Sequence, residues 1–335
     1  MTTHAATLVT GVAGFIGSHV ARQLLRRGDR VIGLDDLNAY YDPKLKLARL
    51  DTLSKSANFV FEKASIVDAA LVSHIFSQHT IDAVVHLAAQ AGVRHSITHP
   101  QDYIDSNLTG FLNILQAARA RPVRHLVYAS SSSVYGANTK LPFSESDRVD
   151  RPVSLYAATK RANEAMAYVY SLQFGIPATG LRFFTVYGPW GRPDMATFRF
   201  TRAIVAGEPI DVYNHGDMRR DFTYIDDIVD GVVKVLDRVP KKAPDGVQHR
   251  VFNIGNHRSE PLMRFIEVLA EALGRKPEIR FLPMQMGDVK ETFADIDALS
   301  REYEWAPTTT IDIGLPRFVE WYDQYYGRSK QIAGQ

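Results

Sequence analysis

The chain has 335 residues, 45% of them apolar and 23% charged, the profile of a globular protein with one large or two ordinary domains. Its net charge of +2 calls for neither nucleic acid nor a membrane as a partner. The absence of cysteine excludes disulfides, thiolate metal sites and cysteine nucleophiles; with no signal-peptide pattern and no apolar run of bilayer length, a cytoplasmic location is expected.

Residues 6–10 read as a short apolar strand that runs into Thr10-Gly11-Val12-Ala13-Gly14-Phe15-Ile16-Gly17. Phe15, Ile16, Val20, Leu24 and Leu25 then recur at helical spacing. A strand, a glycine turn and a helix start make a phosphate site, because glycine lets the backbone approach an anion and the first helical N–H groups point at it. The spacing is G-x-x-G-x-x-G, not the commoner G-x-G-x-x-G. The next strand, 30–35, ends in Asp35, 18 residues beyond Gly17, near the distance of an acid that reads a ribose diol. Asp36 adds a second negative charge and no Arg or Lys follows immediately, so a 2′-phosphate would be repelled and NAD is expected rather than NADP.

Further strands are expected at 58–62, 82–87, 124–130 and 178–183, with helices at 43–53 (Asp42 as N-cap, Pro43 in the first turn), 68–78, 100–119 and 154–174. This alternation predicts an α/β fold, a Rossmann-type doubly wound parallel sheet, with ligands beyond the carboxyl ends of the strands. Residues 186–193, dense in Gly, Pro and aromatics, read as a loop. Shorter elements follow: helices near 195–206, 226–238, 259–273 and 310–325, and strands near 210–213 and 250–254. Residues 1–183 are expected to form the cofactor domain. Residues 184–330 form mainly a smaller C-terminal α/β substrate lobe, with some elements after 222 returning to the first domain, and 327–335 form a flexible polar tail.

Tyr156-Ala157-Ala158-Thr159-Lys160 opens a helix, and residues four apart share a face. A neighbouring ammonium favours the phenolate, so Lys160 is expected to lower the Tyr156 pKa and fit the phenol for proton exchange with a sugar hydroxyl. Ser131, 25 residues upstream and directly after a strand, could hold the same oxygen. Each part alone is commonplace; the three together behind a dinucleotide turn are not. The eleven histidines show no metal-ligand spacing, so no metal is expected. Trp305, Trp321 and Tyr325 read as packing residues.

These residues resemble the extended short-chain dehydrogenase/reductase family over roughly residues 6–326. The motifs are Thr10 to Gly17, His86-Leu87-Ala88-Ala89, Asn107, Ser131, Tyr156, Lys160 and Arg220 to Asp227. Within it, Ala89 to Arg94, Leu181 to Asp194 and Val212 to Gly216 are most similar to the UDP-glucuronate 4-epimerases. The resemblance implies that NAD is held by Gly11, Gly14, Phe15, Ile16, Gly17, Asp35, Ser65, Ile66, Leu87, Ala88, Ala89, Asn107, Lys160, Tyr187 and Pro189. It implies a UDP-sugar on Arg94, Ser132, Ser133, Thr185, Arg192, Arg220 and Asp288, with Tyr156, Lys160 and Ser131 catalytic, and a homodimer paired through the helices at 100–119 and 154–174. The implied activity is epimerisation of UDP-glucuronate to UDP-galacturonate through a 4-keto sugar. A 4,6-dehydratase would need carboxyl groups where Ser132 and Ser133 stand, and a UDP-glucuronate decarboxylase keeps Glu at the Ser133 position. A UDP-glucose/galactose 4-epimerase typically has Asn at the position of Thr185, and a regulator that merely senses NAD would have lost Tyr156 or Lys160. Two departures stand out: Ser65 replaces an acid that meets adenine, which predicts weaker adenine binding, and Gln285-Met286-Gly287-Asp288 replaces Arg-Pro-Gly-Asp at a nucleotide contact.

Overall fold

The computed structural model describes residues 5–285 and 287–327; Met286 and most of the expected tail, 328–335, lie outside the described residues. The strands in chain order are β1 (Ala6–Thr10), β2 (Arg30–Asp35), β3 (Phe59–Lys63), β4 (Ile81–His86), β5 (His125–Ser131), β6 (Ala178–Phe183), β7 (Thr185–Tyr187), β8 (Ile210–Val212), β9 (Arg219–Arg220), β10 (Phe222–Tyr224), β11 (His249–Ile254), β12 (Glu260–Pro261) and β13 (Ile279–Phe281). Seven of them form one parallel sheet in the order β11-β6-β5-β4-β1-β2-β3. The order reverses between β1 and β4, which opens a crevice at their carboxyl ends.

Both faces of this sheet are covered, which is why its strands are apolar almost throughout. Val9, Val31, Val85 and Val127 pack in one cluster with Val20 and Leu24, while Leu8, Ile32, Val84 and Leu126 join Ile75, Phe111 and Leu115 in another. Neighbouring strand residues thus feed opposite layers. The helix starts follow the capping residues: Asp42 Oδ1 accepts from Lys44 N at 2.9 Å, Asp68 Oδ1 from Ala70 N and Leu71 N, and Ser154 Oγ from Ala157 N. β11 returns to the central sheet beside β6 from far along the chain. Trp305 is buried and donates to the Asp227 carbonyl. No helix among the described residues is long and apolar enough to cross a membrane.

Three expectations are corrected. The single helix expected at 100–119 is Pro100–Tyr103, a π turn over Ile104–Thr109, and a helix Gly110–Ala120. The wider turn lets the Asn107 amide meet the Gln90 backbone from both sides, and Gly110 leaves room for Ile66, whose Cδ1 a Cβ there would approach to 2.6 Å. The loop read at 186–193 begins as strand, since β7 pairs with β10. The helix expected from 259 starts at Leu262, because Glu260–Pro261 pair with Arg219–Arg220 first.

Candidate active site

A cavity of about 820 Å³ opens at the carboxyl ends of the sheet. Its floor is the glycine turn. Gly11 sits in the left-handed region at φ +68, and a Cβ there would stand 2.8 Å from Ala88 N; at Gly17 a Cβ would stand 2.1 Å from Gly11 O. The helix Phe15–Arg26 has Gly14 as N-cap with no side-chain cap, so its first N–H groups remain for an anion. Asp35 accepts from Ala13 N at 3.1 Å and from Leu37 N at 2.9 Å, one bond to each oxygen, which leaves lone pairs on both oxygens for a diol. Burial pushes its carboxyl up, opposed by Lys46. Thr10 Oγ1 holds the next wall by accepting from Leu87 N and Ala88 N. Phe15, Ile16, Ser65, Ile66, Leu87, Ala88 and Ala89 all line the cavity. Ser65 Oγ accepts from Val67 N, as a turn residue would.

Tyr156, Ser131 and Lys160 share the opposite wall. Ser131 ends β5 and its Oγ accepts from Ser133 N at 3.2 Å, capping the short turn Ser132–Tyr135. Lys160 is buried and donates from Nζ to the Ala129 carbonyl at 2.9 Å; burial lowers its pKa to about 8. The expectation that Lys160 lowers the phenol is not met in this state. Burial raises the Tyr156 pKa, and the groups that pull it down are the Ser131 hydroxyl and the Arg192 guanidinium.

Arg192 Nε and Nη2 grip both oxygens of Asp194 at 3.0 and 2.5 Å. Thr185, Ser132 and Ser133 line the same end. Farther out, Arg220 Nη2 donates to Asp288 at 2.7 Å, and Arg94 lies 3.6 Å from the same carboxylate and over the Tyr213 ring. Three of the implied residues are not brought to the wall. Asn107 uses its amide on Gln90 N, Gln90 O and Thr159 Oγ1, bracing the wall from behind. Tyr187 is buried, with its hydroxyl on the Thr310 carbonyl and its ring among Phe222, Tyr224 and Phe265. Pro189 is also absent from the cavity lining.

A family model described as the NAD dependent epimerase/dehydratase family matches residues 7–255. The chain belongs to that family. It is 49% identical to UDP-glucuronate 4-epimerase 3 of Arabidopsis thaliana, over 98% of this chain and 79% of the plant protein. It is 46% identical to a probable UDP-glucuronate 4-epimerase of Rhizobium meliloti, over 96% of this chain and 98% of that protein. Among solved structures it superposes with a TM-score of 0.88 and 33% identity on the UDP-glucuronic acid 4-epimerase of Bacillus cereus, crystallised with UDP-glucuronic acid and NAD, over 96% of this chain and 100% of that one.

As a member of this family the chain is an NAD-dependent enzyme, and the glycine cradle, the uncapped helix start and the open lone pairs of Asp35 fit that cofactor. Two residues of the site escaped the sequence reading. Lys46 lies 3.8 Å from Asp35 and donates to Asn38 Oδ1 at 3.0 Å, both within the cavity wall. No cation follows Asp35 directly, but a helix started at Pro43 carries one back toward it, and the Asp42-Pro43 start was the available signal. Tyr40 donates to Asp194 Oδ2 at 3.2 Å across 154 positions of sequence, a contact with no local signature.

Proposed function

We propose that this protein interconverts UDP-glucuronate and UDP-galacturonate by NAD-dependent epimerisation at C4, through a transient 4-keto sugar and without loss of CO₂. The observation that carries the reading is the gathering of Tyr156, Ser131 and Arg192 between the dinucleotide turn and the outer pair Arg220–Asp288. The two epimerase relatives and the UDP-glucuronic acid complex of the Bacillus cereus enzyme support it.

NAD, when bound, supplies the chemistry of accepting the C4 hydride and giving it back. Gly11, Gly14 and Gly17 hold the pyrophosphate, Asp35 and Lys46 the adenosine ribose, Ser65 and Ile66 the adenine side, and Lys160 the nicotinamide ribose. Tyr156 takes the proton of the C4 hydroxyl and later returns it, with Ser131 holding the same oxygen. Arg220 serves the diphosphate, released from Asp288 or sharing it with Arg94.

Oxidation at C4 makes a β-keto acid, which loses CO₂ when the C5–C6 bond lies parallel to the carbonyl π system. Thr185, Ser132, Ser133 and Arg192 offer donors that hold the carboxylate out of that alignment, and charge-assisted bonds are the stronger kind. Neither Ser132 nor Ser133 can act as the carboxyl acid or base that an elimination requires.

The reading includes a homodimer and a reducing, cytoplasmic setting. Exposed Leu112 lies on the helix Gly110–Ala120, and exposed Val169, Leu172 and Phe174 on the helix Leu155–Phe174. An apolar outer face of this kind suits a second copy. The test of function is to incubate purified protein with UDP-glucuronate, and separately with UDP-glucose, and to identify the products. UDP-galacturonate from the first supports the reading, and conversion of the second alone refutes it.

A further inference from the structure

Arg49 is fully buried, and its guanidinium joins two parts of the site that are far apart in sequence. Nη1 donates to the carbonyl of Ala13, inside the cofactor turn, at 2.9 Å, and to the Tyr41 hydroxyl at 2.6 Å. Nη2 donates to the carbonyls of Trp190 and Gly191 at 2.7 and 3.1 Å. A buried cation is costly unless its donors are satisfied; here four oxygens take the two terminal nitrogens, while Nε is left without a partner. An apolar side chain could fill the same volume without that requirement, so its use needs a reason.

The loop it holds is strained. Trp190 sits in the left-handed region at φ 62, a conformation that bulky side chains rarely adopt and that the surroundings must enforce. Arg192 follows directly, and the carboxylate of its partner Asp194 also accepts from the Tyr40 hydroxyl. The segment after β2 therefore grips this loop at both ends, with Arg192 between the grips. Ala13 is held on both sides as well: its N–H donates to Asp35 and its carbonyl accepts from Arg49.

We propose that Arg49 is a positioning residue that transmits occupancy of the cofactor turn to the sugar-side loop, so that filling the pyrophosphate site steadies Trp190–Asp194 and the Arg192 guanidinium before any sugar arrives. The proposal rests on the cofactor site and not on the identity of the sugar.

The test uses hydrogen–deuterium exchange on cofactor-stripped full-length protein with ADP as the probe. ADP fills the adenosine and pyrophosphate half of the site but lacks the nicotinamide end, so an effect on the loop must pass through the protein. In the wild type, ADP is expected to slow exchange in Trp190–Asp194 by about five-fold or more, the low end of a typical coupling between sites. In Arg49→Lys, which keeps the charge but loses the fork, ADP still protects the glycine turn while its effect on the loop falls below about two-fold. A loop merely loosened by the substitution would exchange faster with and without ADP but keep the same ratio. The proposal is overturned if wild-type ADP protection stops at the glycine turn, or if Arg49→Lys keeps the full ratio. The wild-type arm decides even where the variant does not fold.

Discussion

At the scale of single residues, a few neighbouring groups set the acidity of Tyr156 and would decide the fate of the sugar carboxylate. Tyr156→Phe keeps the ring and loses the proton acceptor, so turnover should fall about 10²–10⁴-fold with UDP-sugar affinity little changed; steady-state kinetics beside titration calorimetry with UDP-glucuronate would check both. Burial raises the phenol, and Ser131 and Arg192 hold it down. With the phenolate as the proposed base, the rising limb of the pH–kcat profile should move to higher pH in Arg192→Ala. An unmoved limb would remove the guanidinium from phenol tuning. The same substitution, or Thr185→Val, should raise the ratio of 4-keto-pentose to epimer. A lost hydrogen bond to a charged group, at about 1.5–3 kcal/mol, corresponds to roughly ten-fold or more in such a partition. Mass spectrometry of products from substrate labelled at C6 reads that ratio, and loss of activity with no loss of label would leave these residues a binding role only.

At the scale of elements, the glycine turn is the part whose form is dictated most closely. A Cβ at Gly17 would stand 2.1 Å from Gly11 O, both backbone-held, so Gly17→Ala must push the helix start away from the turn. Losing even one hydrogen bond to the pyrophosphate should weaken NAD binding by about ten-fold or more, measurable by calorimetry on stripped protein; unchanged affinity would mean the turn does not hold the cofactor. This element was legible in the sequence because its signal is local: strand, glycines and helix start lie within a dozen positions. The alternating strands of the sheet were legible for the same reason, since burial on both faces leaves apolar runs of fixed length. The π turn at Ile104–Thr109 was not, because what stabilises it is the bonding of Asn107 to Gln90 and Thr159, contacts that exist only once the chain has folded. The short pairings β7–β10 and β9–β12 were hidden likewise, two or three residues each. The inward reach of Lys46 could have been read from the helix start at Pro43, whereas Arg49 and Tyr40 are defined by partners more than a hundred residues away.

At the scale of the whole molecule, packing imposes its own pH limit. Burial lowers His19 and His86 to about 3 and His125 to about 4. These rings stay neutral in the folded chain while the unfolded chain takes up protons near 6.5, so stability is full above that value and is lost as pH falls toward 4 and 3. At pH 5 each should cost about 2 kcal/mol. His249, lowered to about 4, adds to them; Asp221, raised to about 6 by burial, works the other way, as do Asp35, Glu145 and Asp226, which are raised by less, and the four imidazoles carry the larger shifts. The urea midpoint should therefore drop clearly between pH 7 and pH 5, and a midpoint that held or rose would contradict the neutral, buried rings. Leu172→Glu on the outer face should yield a monomer by sedimentation if that face pairs two copies. The proposed reaction requires that hydride leave C4 of the sugar and return to the same carbon on the other face. The direct measurement is turnover of UDP-glucuronate deuterated at C4, followed by NMR and mass spectrometry of the sugar. The expected product is UDP-galacturonate with deuterium still on C4, with no solvent hydrogen at C4 or C5 and no net NADH. Washout of the label, inversion at C5, or accumulation of a pentose with NADH would contradict it.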